Sequence, residues 1–369
     1  MEKIPVLSAG FGEGHNAAAR AVVAALNRHP SGSVQGDFHD LFLEAYGPEK
    51  AKSQRDRYIH LANNYPRVWG GLYHALDKIP LVSWTVPLVR PVVQAWGEML
   101  AQTQPKVIVT AYPLYNYFLP KNWKLSDPER PRVITVVTDS MTVNRAWHRA
   151  YSDWYVTPNE ATAAIMRRQG VPEEKILPYG FPVSDRLRAR SQVTATERPR
   201  VLLMLNPGRR DAVEWAQTLS GLEIDLTITV GKDADFKLAV EQATAGRAVV
   251  LGWTDKIPEL MLSSHVVVSK AGGATTHECV AAGVPMIITQ VIPGQEAGNA
   301  RLIVDHGAGA YGLTPTQARD VLQQAFAQQG QVWSQWKAAI TDLGDADGAD
   351  RIADLVVREL ATKLATAAA

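Results

Sequence analysis

One cysteine, Cys279, stands in 369 residues. No internal disulfide can form, and the chain suits a reducing compartment. Charge of one sign is also lacking: 38 Lys and Arg face 37 Asp and Glu, a formal charge of +1. That balance argues against a nucleic-acid partner, because such binders are usually basic. No apolar run is long enough to cross a bilayer. The most apolar long segment, Ile79 to Trp96, is broken by Pro80, Pro87, Arg90 and Pro91 and falls short of a spanning helix. The opening MEKIPVLSAG holds only a very short apolar run. It reads as a first strand, and no secretory signal is expected. The nine histidines lack metal-ligand spacing, so neither a metal nor another cofactor is expected. Cys279 lies beside Glu278 and reads as a packed small side chain rather than a nucleophile.

What is present is an alternation of short apolar strands with amphipathic helices and no repeat of fixed period, the pattern of mainly parallel α/β sheets. The length allows two domains. Strands are predicted at Pro5–Ala9, Val34–His39, Val107–Thr110, Val133–Thr138, Trp154–Thr157 and Ile176–Tyr179. In the second half they fall at Arg200–Leu205, Leu226–Val230, Ala248–Leu251, His265–Ser269 and Met286–Ile288. Helices are expected over His15–Arg28, Glu160–Gln169 and, amphipathically, Asp350–Leu364. The polar, charged stretch from Gly180 to Arg198 marks a boundary, giving domains 1–182 and 199–345, a linker 183–198 and a C-terminal segment 346–369.

The densest chemistry lies between Val268 and Ala300. Gly272 and Gly273 sit where a buried strand hands over to a helix. Glycine lets the backbone approach a ligand, and the N–H groups of Gly273, Ala274 and Thr275 favour an anion. Lys270 adds a positive charge. Glu278 stands at i+3 from Thr275 and i+4 from Ala274, on the side of that first turn. A carboxylate able to accept two hydroxyl protons beside an anion site suits a ribose. Gln295 and Glu296, in PGQEAGNA, bring two hydrogen-bonding side chains to another helix start. Phosphate, ribose and a polyhydroxyl group in series describe a nucleotide sugar.

A second glycine loop follows the first strand. Gly10, Gly12 and Gly14 have the spacing of a dinucleotide site, but the third glycine of that fingerprint is missing and Asp37 closes the second strand poorly. His15 then stands at a helix N-terminus, whose positive end keeps an imidazole neutral and able to accept a proton. Asp139, ending a strand in TVVTDSM, is the competing base or the residue that orients His15. Between Arg55 and Trp96, aromatic and basic residues mix. Tyr65, Trp69 and Tyr73 are spaced by four and share a helical face, which reads either as core or as a membrane-interface surface.

These motifs carry a resemblance. VSKAGGATTHECVAAGVPMIITQVIPGQEAGNA is similar to the donor-binding half of the monogalactosyldiacylglycerol synthases and bacterial processive diacylglycerol glucosyltransferases. More distantly, it resembles the cell-wall lipid-linked N-acetylglucosaminyltransferase. Phe11-Gly12-Glu13-Gly14-His15 resembles their glycine loops, with Glu13 as a departure. The resemblance implies an α/β, GT-B fold: two Rossmann-like domains with mainly parallel sheets facing across a cleft. It implies a C-terminal helix crossing back to the first domain. It implies an inverting transfer of a hexose from a UDP-sugar to a lipid acceptor such as diacylglycerol, by a protein peripheral to the inner face of the membrane in the cytoplasm.

Residue by residue, the resemblance puts Tyr112 in a turn beside the acceptor and extends the acceptor side over Asn144 and Trp147, with Asn144-Arg145-Ala146 where many relatives carry a histidine. It gives the Arg55–Trp96 region, with Trp69 and Tyr73, a lipid-facing role. On the donor side, Trp253 and Thr254 match a loop that holds the base, and Gly14 and Gly208 lie in backbone loops near the nucleotide. Around Gly208 the relatives' small-residue loop is replaced by Asn206-Pro207-Gly208-Arg209-Arg210. Arg209 then either supplies charge for the lost N–H donors or is a solvated residue of a helix start. The alternatives are an enzyme of similar fold acting on a soluble acceptor or water, such as an epimerase or hydrolase, and a binding protein without turnover.

Overall fold

The structure is a computed structural model. It describes residues 1–78, 86–205, 211–292, 294 and 296–368; for 59, 62–64, 66, 67, 72–74, 76, 87, 367 and 368 it describes the backbone only. Gly208, Arg209 and Gln295, and the side chain of Tyr73, therefore lie outside the described residues. The chain forms two compact units: residues 1–183, 292–298 and 347–369 in the first, and 184–291 and 299–346 in the second.

The first unit is built on six parallel strands in the order β2-β1-β3-β4-β5-β6. They are β1 Glu2–Ser8, β2 Val34–Asp40, β3 Val107–Thr110, β4 Arg132–Val136, β5 Trp154–Val156 and β6 Ile176–Leu177. Strand β1 lies between β2 and β3, covered on both faces, and Ile4, Val6 and Leu7 are fully buried. That double burial is why parallel strands read as apolar runs rather than alternations. Helices are α1 Glu13–Asn27, α2 Leu41–Asn64, α3 Pro66–Lys78, α4 Arg90–Thr103 and α5 Glu160–Arg168. Asp40 caps α2, its carboxylate accepting from the Phe42 and Leu43 N–H groups, and α2 breaks at Gly47 before Pro48. The chain reverses strand order between β1 and β3. In open α/β sheets, ligands bind outside the carboxyl ends of strands at such a switch point.

The second unit repeats the plan, with order β12-β11-β10-β7-β8-β9. Its strands are β7 Arg200–Met204, β8 Asp225–Thr229, β9 Ala248–Leu251, β10 Val266–Ser269, β11 Met286–Ile288 and β12 Gly309–Tyr311. Its helices are α6 Ala212–Ser220, α7 Ala234–Thr244, α8 Ile257–Ser263, α9 Gly273–Ala282, α10 Ala297–Val304 and α11 Pro315–Asp342, with the start of α10 belonging to the first unit. Trp215 and Leu219 on α6 pack with Val268 of β10 and Trp333 of α11 in one core. Here the switch point falls between β7 and β10, which pair as Val268 with Leu203.

All eleven predicted strands form, with ends displaced by up to three residues. Strand β12 is the addition. Its three residues carry no β-branched signal. Gly309 is there because a Cβ would come within 1.9 Å of the Met286 carbonyl oxygen. Residues 184–198 pack onto the second unit: the Ser191 N–H donates to the Ala282 carbonyl at 2.8 Å, and Arg190 donates to the Thr341 and Gly344 carbonyls. The C-terminal helix α12, Gly348–Ala368, packs on the first unit. Arg28 pairs with Asp350 at 2.5 Å, and Arg351 donates to the Tyr179 carbonyl at 2.9 Å. Beneath the sheet, buried Arg130 holds Asp153 through two bonds of 2.7 and 2.9 Å, and Arg132 joins Asp153 to Glu359 of α12.

Candidate active site

At the switch point of the first unit, β1 ends at Ser8, whose hydroxyl donates to Asn16 at 2.6 Å. The Asp40 carboxylate also takes the Gly10 N–H, so the glycine loop is tied to the cap of α2. Helix α1 opens on Glu13, Gly14 and His15 behind Gly12, which offers no side-chain cap. His15 Nδ1 lies 2.8 Å from the Ala111 carbonyl oxygen and 2.9 Å from Thr138 Oγ1. A carbonyl can only accept, so Nδ1 carries the proton and Nε2 the lone pair. Burial lowers the pKa to about 4, against the opposing bond to Ala111. The imidazole is thus neutral near pH 7.

Rings surround it. Tyr112 meets His15 edge-on at 5.2 Å and stacks on Phe11 at 6.1 Å. Phe11 touches Tyr58 at 5.8 Å, and Tyr58 meets Trp69 at 4.9 Å. An aromatic wall therefore runs from His15 to Trp69. Trp69 itself is 9% exposed, packed against Ile292, Tyr58 and Leu61, and Trp96 is 2% exposed in the core. Both side chains are largely buried. Among the described residues, the exposed large apolar side chains of this region are Tyr65, Val68 and Leu88. A buried face explains the four-residue spacing as well as a wetted one does.

Asp139 is buried and accepts the Trp147 indole N–H at 2.9 Å. Trp147 packs with Val137, Val143 and Tyr155, and Asn144 is turned inward onto the Ala146 N–H at 2.9 Å. Both are buried. Glu296, likewise buried, accepts the Ile292 N–H at 2.9 Å and closes its own turn. That bond occupies one carboxylate oxygen of a residue expected to hold sugar hydroxyls. Gly298 follows because a Cβ would fall 1.6 Å from the Ser140 carbonyl oxygen.

At the switch point of the second unit, β10 delivers Lys270, Ala271 and Gly272 to the start of α9. Gly272 is an N-cap without a side chain, and no acidic residue occupies the first turn. The start of the helix, at Gly273, Ala274 and Thr275, therefore has no side-chain cap from Gly272 and no acidic neighbour in its first turn. The other end is closed: Lys337 donates to the Gly283 and Ser191 carbonyls at 2.7 and 2.8 Å. Glu278 is partly buried, and among the described residues its carboxylate has no hydrogen bond or ion pair. Burial pushes its pKa up to about 7. Cys279 is fully buried and its thiol is pushed up by the same burial, which suits packing rather than nucleophilic chemistry. Trp253 is 66% exposed beyond β9, with Lys232 over its ring at 5.2 Å. The Thr254 hydroxyl accepts the Lys256 N–H at 3.1 Å.

Two residues were missed from sequence. Thr138 belongs to the quoted TVVTDSM, but its partner His15 is 123 positions away. Asn299 lies four residues after Gln295, which was the available signal. It is 2% exposed, its Nδ2 donates to the Ala271 carbonyl at 2.9 Å, and its buried Oδ1 has no partner among the described residues.

Comparison with known proteins is consistent across the chain. Residues 15–183 match the model for monogalactosyldiacylglycerol (MGDG) synthase, and residues 210–328 match the glycosyltransferase family 28 C-terminal domain. A processive diacylglycerol beta-glucosyltransferase of Staphylococcus saprophyticus is 24% identical over 86% of this chain and 83% of its own. The chloroplastic monogalactosyldiacylglycerol synthase of Spinacia oleracea is 26% identical over 90% and 68%. Among solved structures, MurG of Acinetobacter baumannii aligns with a TM-score of 0.61 at 12% identity, covering 97% of this chain and 100% of that one. A UDP-GlcNAc 2-epimerase of Neisseria meningitidis aligns at 0.60 and 11%, with the same coverages. These likenesses show the GT-B fold. The chain therefore carries an MGDG synthase domain followed by a glycosyltransferase family 28 C-terminal domain, and it is a glycosyltransferase.

Proposed function

We propose that the chain transfers a hexose from a UDP-sugar to a diacylglycerol-type lipid, inverting the anomeric centre in one displacement. The observation that carries this reading is the uncapped start of α9 with the unpartnered Glu278 one turn further on. The helix start and Lys270 take the diphosphate, Glu278 accepts the two ribose hydroxyls, and Trp253 and Thr254 flank the base. Asn299 Oδ1, without a hydrogen-bond partner among the described residues, accepts with Gln295 from sugar hydroxyls. His15 Nε2 removes the proton of the acceptor hydroxyl. The acceptor oxygen bonds to the anomeric carbon as the bond to UDP breaks, and the charge left on the diphosphate is stabilised at α9.

The relatives named above act on diacylglycerol by their names, and the aromatic wall beside His15 gives an apolar acceptor a place to lie. Among the described residues no helix is long and apolar enough to cross a membrane. We assign the approach to the bilayer to the exposed Tyr65, Val68 and Leu88 with the exposed cations Lys52, Arg57 and Arg90. Rings, aliphatic side chains and basic groups together suit the inner membrane face from the cytoplasm. UDP release from UDP-glucose or UDP-galactose, with and without diacylglycerol vesicles, tests the proposal. Release that is independent of lipid points to water or a soluble acceptor.

A further inference from the structure

His15 is held by two oxygens, and neither is charged. The Ala111 carbonyl follows β3 and Thr138 follows β4, and these strands pair through Thr110 and Thr135. Both contacts converge on the same nitrogen, at 2.8 and 2.9 Å. Were Nδ1 the bare nitrogen, its lone pair would face the carbonyl oxygen at contact distance. Thr138 is 6% exposed and its hydroxyl contacts the ring. The titratable groups nearby leave the ring neutral. Burial pushes the Tyr112 phenol up, Asp139 is bonded to Trp147, Asp40 is bonded to Gly10, Phe42 and Leu43, and Glu13 is exposed.

We propose that Thr138 is the positioning residue of the reaction: with the Ala111 carbonyl it fixes the proton of His15 on Nδ1 and aims the Nε2 lone pair at the acceptor hydroxyl. This rests on the reading of His15 as base. A carboxylate in that position would stabilise the imidazolium. Two neutral acceptors select the tautomer and stabilise the imidazolium less than a charge would: the Ala111 bond raises the His15 pKa, but burial outweighs it.

The test uses the full chain labelled with 15N. The His15 ring nitrogens are followed by proton–nitrogen correlation, alongside UDP release from UDP-glucose with diacylglycerol vesicles. Thr138→Val keeps the shape and removes the acceptor. The proposal expects shifted His15 ring-nitrogen signals, a fall in kcat of about ten- to a hundredfold, as for a misplaced catalytic group, and an unchanged KM for UDP-glucose. Thr138→Ser restores both. A folded Thr138→Val chain with parental ring signals and kcat overturns the proposal. Should Thr138→Val not fold, Thr138→Asp serves instead: its carboxylate raises the His15 titration midpoint by about one to three units, and an unmoved midpoint overturns the proposal. Signals that shift in Thr138→Val and return in Thr138→Ser, together with full turnover by His15→Ala, support the positioning and refute His15 as base.

Discussion

Glu278 is where binding and stability pull in opposite directions, and Glu278→Gln separates them. In the folded chain the carboxyl titrates near 7 instead of 4.5, because burial penalises its charge. Below about pH 4.5 both folded and unfolded chains hold the proton, and the residue is neutral for stability. As pH rises from 4.5 to 7 the unfolded chain releases its proton first, so stability falls. Above 7 the loss is complete. A shift of about 2.5 units corresponds to at most about 3 kcal/mol. The amide carries no charge, so ligand-free Glu278→Gln is more stable than the parent at pH 8, and the gain disappears toward pH 4.5. Donor binding moves the other way. Loss of one charge-assisted bond to a ribose hydroxyl costs about 1.5–3 kcal/mol, roughly ten- to a hundredfold in Kd. In the parent, affinity for UDP-glucose also weakens about tenfold per unit below pH 7, as the carboxyl protonates. That pH dependence is absent in the variant. Melting curves and calorimetric titration with UDP-glucose, at pH 6 and 8, measure all of these. A variant that is less stable at pH 8 and binds like the parent refutes the reasoning.

Further outcomes follow from the same geometry. His15→Ala lowers kcat by about two to four orders of magnitude, the range for a lost general base, with UDP affinity little changed by calorimetry; activity lost instead in Asp139→Asn reverses the two roles. Tyr65→Ser with Val68→Ser and Leu88→Ser reduces co-sedimentation with anionic vesicles at an unchanged melting temperature. Trp69→Ala acts differently: its ring is buried, so it lowers the melting temperature, by about 3–5 kcal/mol in stability. For Asp153, burial raises the pKa but the bonds from Arg130 and the Val133 N–H outweigh it, and the net shift is downward. Its contribution is full above the ordinary carboxylate range and is lost as pH falls through the folded value. Asp153→Asn removes about 3–5 kcal/mol by stranding Arg130, and the variant's melting temperature falls less than the parent's on acidification.

The central strands were legible because both of their faces are buried, which writes continuous apolar runs such as Val266–Val268 into the chain. Strand β12 was not, since backbone pairing with β11 makes it. The break in α11, where Gln328, Gln329 and Gly330 take left-handed conformations, has only that glycine as a local signal, because glutamine is a good helix former. At the candidate site, His15 and Glu278 stand out in the sequence because each sits at a fixed offset from a glycine turn. The roles of Trp69, Asn144 and Trp147 were harder, because a four-residue spacing or an aromatic in a loop does not say which way the side chain faces. Thr138 and Asn299 were missed because their partners come from other strands and turns, and only folding brings them together.

The central claim is hexosyl transfer to a diacylglycerol-type lipid. UDP release by the purified chain, with UDP-glucose and UDP-galactose in parallel, measures it most directly when diacylglycerol is supplied in vesicles or withheld. The account predicts release that requires diacylglycerol, is matched by a lipid product carrying the hexose, and is lost in His15→Ala. Equal release with and without lipid, or no release with either sugar from a folded chain that binds UDP, would contradict it.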